Sequence, residues 1–284
     1  MSAPDLSVAS LYNVKGKIAL VTGGGTGIGK MIASALTQNG AKVYIAARKE
    51  SQLKETATEL TKTGPGSCHY IVANLGSRAG CDALVAEFKK RETKLHILVN
   101  NSGVTWGAPF TDFPEAQGWD RVLALNVKAI FYMTAGLSDL LAKDSTSYDP
   151  GRVINISSVA GLSAKAEESY LAEEGTGLWS YNTSKAAANH LTSLLAVTLI
   201  KRFITVNAIC PGVFPSRMTR YGFEQAGDKM AATQPTGRVG IPQDMAGTAL
   251  FLVSPASAHV TGNYIVLDGG GTLARGSIAP KVKL

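Results

Sequence analysis

Short β-branched runs alternate with longer stretches of helical periodicity along most of the chain. The candidate strands are Ile18–Thr22, Lys42–Ala47, His69–Ala73, Leu95–Asn100, Arg152–Ser157, Ile204–Cys210 and Tyr264–Leu267. Most are continuous apolar runs rather than strict alternations, the pattern of strands covered on both faces. Helical patterns lie between them at Gly27–Asn39, Ser51–Thr63, Arg78–Arg91, Trp119–Ala142, Leu178–Lys201 and Pro242–Val253. This alternation predicts βαβ units, hence an α/β fold with a doubly wound parallel sheet of about seven strands and helices on both faces. No repeat or low-complexity linker divides the pattern. It reads as one domain over 16–271, with an N-terminal extension 1–15 and a C-terminal tail 272–284, both expected to be loosely held.

Two connections are too long to be plain turns. Residues 158–177 carry Glu167, Glu168, Glu173 and Glu174, and residues 211–241 are rich in Pro, Gly, Arg and Met. Both follow predicted strands, so both are expected at the carboxyl edge of the sheet, where open α/β folds bind ligands.

Composition narrows the picture further. Charged residues make up 17% of the chain and hydrophobic ones 45%, which excludes a disordered chain. The formal net charge of +7 favours an anionic small ligand. Its longest basic runs are pairs and triplets such as Lys89-Lys90-Arg91, so no nucleic-acid partner is expected. Cys68, Cys81 and Cys210 lack metal-ligand spacing and read as reduced structural thiols; no metal is expected. No apolar run approaches bilayer length, and the N-terminus lacks a basic-then-apolar signal. The expectation is a soluble, cytoplasmic protein with no membrane partner. The terminal Val-Lys-Leu differs by one residue from a peroxisomal Ser-Lys-Leu and is taken as chance.

The first strand runs directly into Thr22-Gly23-Gly24-Gly25-Thr26-Gly27-Ile28-Gly29. Glycines at 23, 27 and 29 let the backbone turn tightly and approach a pyrophosphate, whose charge then meets a helix N-terminus. The arrangement predicts a Rossmann-type nucleotide site with Gly23, Gly25, Thr26, Gly27, Ile28 and Gly29 as contacts. At the end of the second strand an NAD site wants Asp or Glu for the ribose hydroxyls. This chain has Ala46-Ala47-Arg48-Lys49 there. Two cations and no carboxylate suit a 2′-phosphate, so NADP(H) is the expected cofactor, with Arg48 and Lys49 as contacts.

Further on, Tyr181-Asn-Thr-Ser-Lys185 sets a tyrosine and a lysine one helical turn apart. A free phenol has a pKa near 10. An ammonium one turn away, with an oxidised nicotinamide nearby, favours the phenolate and predicts a lowered value.

With these pieces in order, the sequence resembles the classical short-chain dehydrogenase/reductase family over about residues 16–271. The resemblance is carried by the glycine loop at 22–29, Asn100-Asn101-Ser102-Gly103, Asn126, Asn155-Ile-Ser-Ser158, Tyr181 with Lys185, Pro211-Gly212, and Leu267-Asp268-Gly269-Gly270. It implies Tyr181 as proton donor, Ser158 polarising the carbonyl oxygen, Lys185 on the nicotinamide ribose, and Asn126 anchoring a water relay to Lys185. It also implies cofactor contacts from Asn74, Leu75, Asn101, Gly103, Pro211, Gly212, Val213 and Ser216. A homo-oligomer, dimer or tetramer, formed through the helices near 119–142 and 178–201, is implied as well.

Departures from the family pattern shape the expectation. Ser158 and Tyr181 are separated by about ten residues more than is usual, and Tyr170 falls nearer the usual spacing. Four residues beyond Tyr170 stands Glu174, which would raise a phenol's pKa, whereas four beyond Tyr181 stands Lys185. Tyr181 is therefore the assigned base, and the difference is an acidic insertion expected to shape substrate access. Ser157 and Ser158 both stand in the I-S-S pattern, whose second serine is the active one in the family. Asn74 replaces an Asp, Ser102 an Ala, and Ser216 a Thr. Gly103-Val-Thr-Trp-Gly107 and Phe214-Pro-Ser-Arg-Met-Thr-Arg220 are similar to stretches of the rhamnolipid-associated β-ketoacyl reductase type. Arg217 and Arg220 either bind an anionic substrate tail or pair with the acids of the insertion. The expected activity is NADP(H)-dependent reduction of a ketone, or β-ketoacyl-type carbonyl, to a secondary alcohol. A catalytically silent NADP-binding regulatory or scaffold protein is the alternative.

Overall fold

Ala19, Leu20 and Val21 pair in parallel register with Val43, Tyr44 and Ile45 on one side and with Ile97, Leu98 and Val99 on the other. That central trio organises a seven-stranded sheet in the computed structural model, which describes residues 3–167, 173–216, 219, 231–232 and 234–274. The strands are β1 (Ile18–Thr22), β2 (Lys42–Ala47), β3 (Ser67–Val72), β4 (Ile97–Asn100), β5 (Gly151–Ile156), β6 (Ile204–Pro211) and β7 (Tyr264–Leu267). All pairings are parallel, in the order β3-β2-β1-β4-β5-β6-β7. The chain reverses its direction of travel between β3 and β4. This crossover opens a crevice at the carboxyl ends of β1 and β4.

Among the described residues, six helices cover the two faces: α1 (Gly27–Gln38), α2 (Glu50–Thr61), α3 (Arg78–Arg91), α4 (Ala129–Ala142), α5 (Trp179–Leu199) and α6 (Pro242–Val253). Because strand side chains alternate, Ala19 and Val21 meet Ile32 and Leu36 of α1 and Leu53 of α2, while Leu20 meets Phe88 of α3 and Met133 of α4. The α1, α2 and α6 helices thus form one layer and α3, α4 and α5 the other. Burial on both sides is why β1, β2, β4, β5 and β6 read as continuous apolar runs, while the edge strands β3 and β7 keep exposed positions.

Two features depart from the sequence expectation. The single helix expected over Trp119–Ala142 is regular only from Ala129, because Glu115–Asp120 and Ala124–Lys128 are wide π-helical turns, with Arg121–Leu123 α-helical between them. Hydrophobic spacing tolerates a one-residue widening, so periodicity does not register it. The N-terminal extension is not wholly loose: Val14 is buried in the same layer as α1, and Val8–Leu11 forms a helical turn capped by Ser7. Below the crevice, a buried polar tie joins the sheet to the α3–α4–α5 layer. Asn100 donates to Asn155 at 2.9 Å and to Thr134 at 3.1 Å, and Asn155 donates to Thr192 at 2.9 Å. It locks the ends of β4 and β5 to α4 and α5.

Candidate active site

The crevice begins where β1 ends. Thr22 Oγ1 accepts the backbone N–H groups of Asn101 and Ser102, both at 3.0 Å, and Asn101 Nδ2 donates back to the carbonyls of Thr22 and Gly23. The turn itself needs glycine: Gly23 and Gly27 adopt φ of +66° and +53°, and a Cβ on Gly23 would sit 2.7 Å from Asn101 Nδ2. Thr26 begins α1 with no side-chain cap, so the first-turn N–H groups keep their capacity for an acceptor from outside the helix.

A cleft of about 590 Å³ runs from this turn across the ends of β2 to β5. Among the expected contacts, Gly23, Thr26, Gly27, Ile28, Arg48, Asn74, Leu75, Asn101, Gly103, Tyr181, Lys185 and Ser216 line it. Gly25, Gly29, Lys49, Pro211, Gly212 and Val213 lie outside its lining. Gly25 turns its bare face to Leu53 and Gln52, Gly29 packs under Asn101, and Gly212 packs on Asp268. Lys49 starts α2 in solvent, Pro211 closes β6, and the Val213 carbonyl accepts from Gly240. Asn74 Oδ1 accepts from the Gly76 N–H at 3.2 Å and keeps a second lone pair.

The charge of the lining is one-sided. It includes Arg48, Arg121 and Lys185 and no carboxylate among the described residues. Arg48 and Arg121 are exposed, with no hydrogen-bond or ion-pair partner among those residues. Sequence reasoning missed Arg121, because nothing in its helical neighbourhood distinguishes it from a solvated surface residue. It also missed Thr219, whose hydroxyl donates to the Phe214 carbonyl at 2.7 Å and holds the turn around Ser216.

At the cleft floor, α5 presents Tyr181 and Lys185 on successive turns, both buried. The Ser158 side chain stands beside the Tyr181 hydroxyl and works to lower its pKa, while Ser158 Oγ accepts the Ala160 N–H at 3.1 Å. Lys185 Nζ stands 5.7 Å from the centre of the Tyr181 ring and donates to the Ile156 carbonyl at 2.8 Å. Of the two adjacent serines, Ser157 is buried with its hydroxyl donating to the Lys185 carbonyl at 3.0 Å, so Ser158 alone meets the phenol. Asn126 uses its side chain on the protein: Nδ2 donates to Val104 and Ser184, and Oδ1 accepts from the Val104 N–H, each at 2.9 Å. Ser184 in turn donates to the Tyr181 carbonyl at 2.7 Å. Its position three residues past the tyrosine, on the buried face, was the signal that sequence reasoning left unused.

The electrostatics correct one expectation. Burial raises the Tyr181 pKa and the Ser158 side chain only opposes it, so the shift is upward and not downward. Burial also drives Lys185 down to about 8, with the Cys210 sulfur acting the other way. Both groups lose water on the same floor, and desolvation sets the direction of both shifts.

Loop 104–113 and the acidic insertion form one wall. Ala108 and Gly177 exchange both backbone hydrogen bonds, Leu178 N–H donates to Ala166 O at 2.8 Å, and Asn182 Nδ2 donates to Lys165 O at 2.9 Å. Phe110 packs edge-on to Trp179. Glu168, Tyr170, Arg217, Arg220 and the terminal Val-Lys-Leu lie outside the described residues. Among those described, no three His, Cys, Asp or Glu gather as a metal site, and no helix is long and apolar enough to cross a membrane.

Comparison with known proteins places these features among nucleotide-dependent reductases. Residues 23–272 match the family model described as enoyl-(acyl carrier protein) reductase. The chain is 43% identical to the rhamnolipids biosynthesis 3-oxoacyl-[acyl-carrier-protein] reductase of Pseudomonas aeruginosa, over 91% of this chain and 97% of that one. It is 31% identical to the 3-oxoacyl-[acyl-carrier-protein] reductase FabG of Thermotoga maritima, over 90% and 98% respectively. Among solved structures it is similar to the Pseudomonas aeruginosa RhlG/NADP active-site complex, with a TM-score of 0.84 and 42% identity, covering 92% of this chain and 98% of that one.

Proposed function

The chain is an oxidoreductase belonging to the short-chain dehydrogenase/reductase family, and from that premise we propose that it uses NADPH to reduce a ketone of the β-ketoacyl type to a secondary alcohol. The observation that carries this reading is the cleft itself, which joins Tyr181 and Lys185, with Ser158 beside the phenol, to a phosphate-suited turn and to unpaired cations. The donor set fits the cofactor. An uncapped helix start and glycine turn suit the pyrophosphate, and Arg48 at an acid-free strand end suits a 2′-phosphate. The similarity to an NADP complex supports the same choice.

Bound NADPH would supply the hydride. The chain's own residues handle the proton. With its pKa raised, the Tyr181 phenol is protonated at neutral pH and ready to donate to the carbonyl oxygen. Ser158, beside that hydroxyl, donates to the same oxygen as charge develops. Lys185, pinned to Ile156, places a positive charge beneath the phenol that stabilises the phenolate left after transfer. Asn126 and Ser184 hold the Tyr181 turn in place. Phe131, Leu194 and Val197, exposed on α4 and α5, support assembly into a dimer or tetramer through those helices.

The test is a screen of the purified protein with NADPH against ketones, β-ketoesters and quinones. The expected result is cofactor oxidation that requires a ketone and is strongest with β-keto compounds. Binding of NADPH with no turnover across the panel would favour the silent alternative.

A further inference from the structure

Resting on the cofactor reading above, we infer that Arg121 caps the adenine ring of the bound dinucleotide, adding affinity to NADPH and NADH alike. The placement follows from how α3 and α4 pack. Arg78, the first residue of α3, lies 5.3 Å over the Tyr132 ring of α4. Arg121 and Leu125 precede Tyr132 on the helical segment leading into α4, Arg121 in its α-helical turn and Leu125 in the π-helical turn that follows. At their height α3 has not yet begun. Their side therefore faces the end of β3 and the cleft, which both residues line together with Asn74, Leu75 and Gly76.

This end of the cleft is built for a flat, mostly apolar ring. Ala47, Ala73, Leu75 and Leu125 supply apolar surface, and Asn74 an amide edge. Arg121 stands at the rim beyond Leu125, exposed and with no partner among the described residues. No carboxylate lines the cleft to draw the guanidinium away. A guanidinium is planar and weakly hydrated, and it stacks on π-systems in a way that an ammonium does not. Arg48 enters from the opposite wall, at the end of β2. The two arginines divide the adenosine between them: Arg48 reads the 2′-phosphate and Arg121 covers the base.

Direct titration of the full chain with NADPH, NADH and 5′-AMP tests this. Arg121→Ala is expected to weaken all three by about three- to fivefold, the range of an exposed cation–π contact. The NADPH/NADH ratio stays as in the parent protein, and so does the melting temperature without ligand. Arg121→Lys recovers only part of the loss, since it lacks the plane. Unchanged 5′-AMP affinity, a loss confined to NADPH, or full recovery by lysine would overturn the assignment. If the parent protein itself binds neither NADPH nor 5′-AMP, it is the underlying cofactor reading that fails.

Discussion

Lys185 donates its ammonium proton to the carbonyl of Ile156 at 2.8 Å, so the charge of α5 is fastened to the end of β5. That one bond fixes where the positive charge sits relative to the phenol. The same burial that makes it precise makes it costly, since the lysine is pushed from an ordinary 10.5 down to about 8.

Lys185→Met is therefore expected to abolish most of the reductase activity while raising the melting temperature at pH 7, by about 2–4 °C for each kcal/mol of relieved desolvation. The sign follows from linkage. The unfavourable charged form is fully present below pH 8, and the difference disappears as the unfolded lysine also deprotonates near 10.5. Melting curves at pH 7 and pH 10.5 check this; a variant less stable than the parent at pH 7 would refute it.

The rate at saturating substrate should be level near neutrality and fall as pH rises through about 8, where Lys185 loses its proton. A kcat–pH profile measures it directly. A limb first appearing near 10 would place the essential charge elsewhere.

Tyr181→Phe should cost about 10²- to 10⁴-fold in kcat, the range for losing a positioned acid, while leaving the NADPH dissociation constant within about twofold. Ser158→Ala should lower kcat as well, and Ser157→Ala mainly stability, because Ser157 is bonded to the Lys185 carbonyl. Tyr170→Phe should retain activity. Exchanged outcomes for the two tyrosines would overturn the reading of the insertion.

Arg48→Asp should move preference from NADPH toward NADH by removing a cation and adding repulsion to the 2′-phosphate. The ratio of kcat/KM for the two cofactors reports it. Equal efficiency with both in the parent protein would remove the premise.

Gly177→Ala should disturb the wall beside Tyr181, because a Cβ there would lie 2.6 Å from the Trp179 ring nitrogen. The expected effect is altered relative KM across a ketone panel, with NADPH affinity unchanged. An unaltered panel in a folded variant would separate the insertion from substrate access.

Much of this protein is written locally. The order of strands and helices, the glycine turn, the acid-free end of β2 and the lysine four residues beyond Tyr181 are all short-range patterns, and helix and strand periods make them legible. Other properties arise only when distant segments meet. Composition alone does not separate Ser157 from Ser158, which only the resemblance assigned as active; the packing of α5 against β5 ties Ser157 to the Lys185 carbonyl and leaves Ser158 beside the phenol. The upward shift of Tyr181 comes from water excluded by surrounding elements, which spacing to Lys185 does not encode. Arg121 is an ordinary surface residue in sequence; it enters the cleft because α3 starts lower than the segment leading into α4, leaving that side open. Periodicity is a property of neighbours, whereas desolvation and contact depend on the whole fold, so the chemistry's cast was readable from the chain and its arrangement was not.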